Sequence, residues 1–303
     1  MRASSIALYV GGALLLSWIP QLLAIHLWGL DSSSTRAVFV GVMWSPTLLA
    51  FGFMALRPAA RRGVRWRLGR LYFLPLGIAV ETAIGLLLVG GLVAAGWAAS
   101  GWFTFDRFGV DVSGGPWLLG HGTQGWPLYV SNIAVTAIVY STFGLVAATG
   151  EEFAWRGFLQ GHLEAHVGVQ RAILLIAAFW WFWHLPGLLA GYNFPQYPVF
   201  GAMVLFPLQM LGTSLFFGWL TVRAGSFWPA ALAHGAVNSV QQGLIDNLQL
   251  EVSTIAVDVL RTAMILLDGA ICWLVLRRSN ARSNTSEAEG AGLPATARTS
   301  GST

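Results

Sequence analysis

Repeated apolar runs of bilayer length constrain this chain more than any other feature. They cover residues 6–27, 38–56, 71–98, 128–149, 172–189, 200–222 and 255–276, with a shorter and more polar run at 227–243. A bilayer core is about 30 Å thick and takes roughly 20 apolar residues of helix to cross. Only helices or closed barrels satisfy every backbone hydrogen bond there. The runs lack the polar alternation of barrel strands, so they predict an all-α, polytopic bundle of about eight transmembrane helices. With 55% hydrophobic and 10% charged residues, the chain has too few charges to clothe a soluble domain of 303 residues.

The charges that remain are informative. All 17 basic side chains are arginine, and Arg57, Arg61, Arg62, Arg65, Arg67 and Arg70 cluster between two apolar runs. Such a cluster sets topology and meets anionic lipid, and it gives no reason to expect a nucleic-acid partner. With eight crossings, Arg171, Arg223, Arg277 and Arg278 fall on the same side, which predicts cytoplasmic termini. The first run continues past signal-peptide length without a small-residue cleavage site, and reads as a retained span. Cys272 has no intrachain partner with which to form a disulfide.

Between residues 100 and 127 the sequence predicts a loop rich in Gly and Trp, containing Asp106, Arg107, Asp111 and His121. Residues 1–278 read as one membrane domain, and 279–303 as a disordered cytoplasmic tail of Ser, Thr, Ala and Gly. Glu81 interrupts the third run, where a carboxylate is expected to face the bundle interior and find a hydrogen-bond donor.

Three helical segments carry polar groups into apolar surroundings. In Gly150-Glu151-Glu152-Phe153-Ala154-Trp155-Arg156, the four-residue spacing of Glu152 and Arg156 puts them on one helix face as an ion pair. Glu151 is left without a local cation. Desolvation of such a carboxylate favours general-base chemistry near neutral pH. An alternative is that both glutamates simply favour a helix start at the interface, with Arg156 snorkelling. The second segment, Phe179 to Pro186, offers His184 as its one titratable residue, amid aromatics of which Trp180 and Trp183 are candidates for substrate contact. In the third, His234 and Asn238 share a helix face and could direct two donors at a developing oxyanion, or could simply tie helices together.

Taken together, Glu-Glu-x-x-x-Arg at Glu151, Glu152 and Arg156, His184 within an aromatic span, and His-x-x-x-Asn at His234 and Asn238 resemble the CPBP family, the CAAX prenyl protease 2 (Rce1-like) intramembrane proteases and their bacterial relatives. The resemblance covers about residues 150–242. It implies a metal-independent endopeptidase without a cofactor, in a bacterial-type cytoplasmic membrane; the order of the spans and arginines places the opening of its polar intramembrane cavity on the arginine-rich side. By the same resemblance Glu151, aided by His184, activates water, His234 and Asn238 hold the oxyanion, and Glu152 and Arg156 position the catalytic helix. The implied partner is a hydrophobic or lipidated peptide. One departure is visible: the family usually places Phe four residues before the histidine, and this chain has Trp180. Two other readings stay open, a zinc-dependent membrane protease using Glu151, Glu152, His184 and His234, and a non-catalytic scaffold or immunity-type protein that binds hydrophobic peptides.

Overall fold

In the computed structural model, described for residues 1–99, 102–105, 107–246 and 248–290, the chain is a helix bundle with two small antiparallel sheets. The first helices are α1 (Ala3–Trp28), α2 (Ser33–Val42), α3 (Ser45–Leu56), α4 (Phe73–Ala94), α5 (Trp126–Glu152) and α6 (Gln160–Leu189). They are followed by α7 (Pro198–Phe200), α8 (Phe206–Ala224), α9 (Trp228–Ala236), α10 (Gln242–Asp246) and α11 (Thr254–Gly290). Among the described residues, 6 continuous helical stretches are long and apolar enough to cross a membrane. The longest, Trp126–Leu189, contains two of the expected runs, because Gly168 breaks it. The run at 227–243 is also helical, divided among α9, a π turn and α10. Large apolar side chains such as Leu15, Leu22, Val130 and Phe143 remain exposed, which fits helices facing lipid.

Gly168 sets the geometry of the molecule's centre. Its φ of 77° and ψ of 165° fall in a region that is nearly exclusive to glycine, so the helix must stop and fold back there. Glu151 and His184 stand at almost equal sequence distances on either side. At 1.5 Å per residue each lies about 25 Å along its arm, and the two therefore meet at the same depth.

Close approach around the Glu-Glu pair is made possible by glycine on two sides. A Cβ on Gly235 would come within 2.4 Å of the Ser141 carbonyl oxygen, and one on Gly144 within 2.6 Å of the Gly235 carbonyl oxygen, so α5 and α9 touch backbone to backbone. Immediately before the glutamates, a Cβ on Gly150 would lie 2.7 Å from the Met43 carbonyl oxygen, and the Thr47 hydroxyl donates to the Gly150 carbonyl at 2.6 Å. The main apolar core wraps this region with Tyr9, Trp155, Phe158, Phe216, Phe217 and Phe227, all nearly inaccessible.

The segment expected as a loop after α4 contains strands β1 (Ala98–Ala99), β2 (Phe103–Phe105), β3 (Gly109–Val112) and β4 (Gly122–Gly125). Strands β2, β3 and β4 form one antiparallel sheet, and β1 pairs with β5 (Gln249–Leu250). The reason is local alternation: Val110 and Val112 point inward beside Trp102, Trp117 and Tyr129, while Asp111 faces out. Asp106 lies outside the described residues. At the other terminus, α11 continues as helix to Gly290, into the segment expected as a disordered tail, and residues 291–303 are outside the described set.

Candidate active site

The Glu-Glu pair ends α5, and a π turn, Phe153–Leu159, follows directly. A π turn widens the helix by one residue and recurs at functional sites. A second one at the site, Val237–Gln241, carries Asn238 and separates α9 from α10. Successive residues on a helix point about 100° apart. Glu151 and Glu152 consequently face different neighbours, although both are buried.

Glu152 sits in a buried network. Its Oε1 accepts from Arg156 Nη1 at 3.0 Å and from His234 Nδ1 at 3.0 Å, and Arg156 Nη2 donates to the Ser214 hydroxyl at 3.0 Å. Arg156 is fully buried, its guanidinium lying 4.2 Å from the Trp180 ring centroid and 5.4 Å from that of Phe217. Two aromatic faces and one carboxylate thus replace the water this cation has lost. The ion pair expected from spacing is present, and it also fixes His234.

Glu151 has a different environment. Its Oε2 accepts from the Trp180 indole N–H at 2.6 Å and lies 3.9 Å from His184 Nε2. That second distance is too long for a direct hydrogen bond. His184 Nδ1 lies 2.7 Å from the Trp180 carbonyl oxygen, which can only accept, so Nδ1 carries the proton and the neutral ring presents Nε2 as an acceptor toward Glu151.

Glu151, His184, His234 and Asn238 all line one cavity of about 270 Å³, with Trp180 and Trp183 also in its wall. Its far wall is polar too, formed in part by Gln209, Thr213, Gln242 and Arg261. Arg261 Nε donates to Gln241 Oε1 at 2.9 Å, and Gln241 Nε2 donates to Glu81 Oε2 at 3.2 Å. Glu81 therefore has the hydrogen-bond donor expected of it, one layer behind the cavity.

The expected opening toward the arginine-rich side does not match the lining. The cavity extends past Gly187 and Leu188 to Tyr192 and Asn193, at the C-terminal end of α6, and contains no residue of 57–70. The arginine loop instead packs at the opposite end of the hairpin. There Arg65 N–H donates to the Gly157 carbonyl at 2.8 Å, its guanidinium pairs with Glu164, and Phe227 N–H donates to the Arg65 carbonyl at 3.1 Å. The loop braces the π turn that follows α5, and its own backbone supplies hydrogen bonds for this.

Two contributors were not visible as site residues in the sequence, Ser214 and Phe217. The signal available was weak: a Gly-Thr-Ser triplet in an otherwise apolar span, where a hydroxyl commonly serves another helix.

Residues 133–240 match the family model described as Type II CAAX prenyl endopeptidase Rce1-like. A curated relative, CAAX prenyl protease 2 of Methanococcus maripaludis, is 27% identical over 128 residues, which cover 41% of this chain and 47% of that protein. The chain spans about half the length of that relative. The matched segment begins in α5 and ends in the second π turn, so it contains Glu151, Glu152, Arg156, His184, His234 and Asn238. Through this segment the chain is similar to the Rce1-like CAAX prenyl endopeptidases.

Proposed function

We propose that the protein is an intramembrane endopeptidase in which Glu151 activates a water molecule without a metal ion. The observation that carries this reading is the convergence of Glu151, His184, His234 and Asn238, from three separate helical segments, on one cavity. A water within hydrogen-bond reach of both Glu151 Oε2 and His184 Nε2 is placed for attack on a carbonyl carbon. As its oxygen bonds to that carbon, its proton passes to Glu151. The carbonyl oxygen gains the negative charge, and in this reading His234 Nε2 and Asn238, both in the cavity wall, stabilise it. In that role His234 carries protons on both nitrogens, one of them directed at Glu152. Collapse of the tetrahedral intermediate breaks the C–N bond, and the proton held by Glu151 moves to the leaving amine.

The polar far wall, together with the aromatic near wall of Trp183 and Phe206, suits an extended peptide with an adjoining hydrophobic or lipid group. The name of the archaeal relative points the same way, to a prenylated C-terminal segment. A zinc reading has less support, because among the described residues no three His, Cys, Asp or Glu side chains are grouped to hold a metal ion. Replacing Glu151 by Gln should abolish cleavage, by at least about a hundredfold, while the protein remains folded in the membrane. Full cleavage by that variant would remove Glu151 from the mechanism. If the Glu151, His184 and His234 variants all retain the protein's cellular role, the site is a peptide-binding scaffold.

A further inference from the structure

Trp180 stands at the centre of the site and touches four of its charged or titratable residues, Glu151, Arg156, His184 and His234. Its indole N–H donates to Glu151 Oε2 at 2.6 Å, and its ring lies 4.2 Å from the Arg156 guanidinium carbon. Its ring centroid is 5.3 Å from that of His234, in an edge-to-face arrangement, and its carbonyl oxygen holds His184 Nδ1 at 2.7 Å. The residue is buried in the largest apolar core, and Phe217 packs against the same ring at 6.2 Å.

Phenylalanine, the residue the family pattern would place here, could supply the ring but no N–H. The departure that reads in sequence as a change of substrate fit is therefore located at the base itself. A donor aimed at one oxygen of a buried carboxylate fixes its rotation, leaving the second oxygen and the free edge of Oε2 for water. The backbone carbonyl of the same residue fixes the His184 tautomer.

Resting on the protease reading above, we infer that Trp180 is a positioning residue: its indole N–H orients the Glu151 carboxylate for water activation, and the residue acts through Glu151 rather than on substrate. One hydrogen bond to a charged acceptor is worth enough to change a rate by about ten- to a hundredfold.

The test uses the full chain in lipid nanodiscs, a quenched lipidated peptide that the wild type cleaves, and the variants Trp180→Phe and Glu151→Gln. Trp180→Phe keeps the ring and should lower kcat by about ten- to a hundredfold with KM within about twofold of wild type, because the loss falls on orientation and not on binding. A substrate-contact role would raise KM instead. Independently of turnover, the indole N–H resonance that disappears in Trp180→Phe should shift in Glu151→Gln, since its acceptor has lost its charge. An unshifted resonance, or an unchanged kcat in Trp180→Phe, overturns the inference and leaves the protease reading intact. Cleavage that survives Glu151→Gln removes Glu151 from the mechanism proposed above, while the resonance still reports whether the indole holds residue 151. Thermal unfolding of both variants separates misfolding from loss of orientation.

Discussion

At positions 151 and 152 two glutamates share a helix but not an environment. Glu152 is neutralised by Arg156 and tied to His234, whereas Glu151 meets an indole N–H and faces the cavity. The division follows from the 100° step between successive helical residues. A buried ion pair costs little to keep once formed, but removing one partner strands the other charge. Arg156→Met should therefore destabilise the protein by about 3–5 kcal/mol, read as a lowered thermal midpoint in detergent. Ser214→Ala, which removes only the neutral acceptor of the same guanidinium, should cost about 1–2 kcal/mol. Equal effects of the two substitutions would mean that Arg156 draws no more from Glu152 than from a hydroxyl.

Among the elements, the decisive ones are a break and a contact. Gly168 ends one arm of the central hairpin with a conformation that other residues adopt at a cost of about 1–3 kcal/mol. Gly168→Ala should lower the unfolding midpoint accordingly, and Gly11→Ala, at a helical position with open space around it, serves as the contrasting variant and should be neutral or mildly stabilising. The contact of α5 with α9 brings His234 beside Glu152. Because a side chain at Gly235 meets the Ser141 backbone, Gly235→Val forces the two helices apart. Overpacking of this kind costs about 1–3 kcal/mol, and the displacement should reduce cleavage far more than stability, measured on the same purified sample. Activity that tracks the folded fraction would show that the helix spacing is not critical to His234.

For the whole molecule, the two ends of the bundle differ in kind. One end carries Arg57 to Arg70, the Gly168 turn and the Gly225 turn that closes α8, and Arg57 Nη1 reaches the Ser5 hydroxyl near the N-terminus at 2.5 Å. The other carries both small sheets and the cavity's outer residues Tyr192 and Asn193. Both Asn193 and Arg62 are exposed, and Cys272 is buried. Single cysteines at 193 and 62 should therefore react with an impermeant maleimide from opposite faces of intact vesicles. Labelling of both from one face would contradict the arrangement of the spans.

Much of this was legible in the sequence, for a physical reason: a bilayer leaves few solutions to an apolar chain. The expected helical runs followed from hydropathy, and the Glu152–Arg156 pair followed from helical spacing. The sheet after α4 was missed because Gly and Trp density resembles an interfacial loop until Val110 and Val112 are seen to share an inner face with Trp102 and Trp117. What tertiary structure alone decided was partnership. Glu151 and Trp180 are far apart along the chain, and only the glycine break at Gly168 brings them to one depth. Likewise His234 reaches Glu152 only because two glycines let α5 and α9 touch. The sequence determined which polar groups had to be buried in the membrane; packing decided which of them would be neutralised by a neighbour and which would remain facing the cavity.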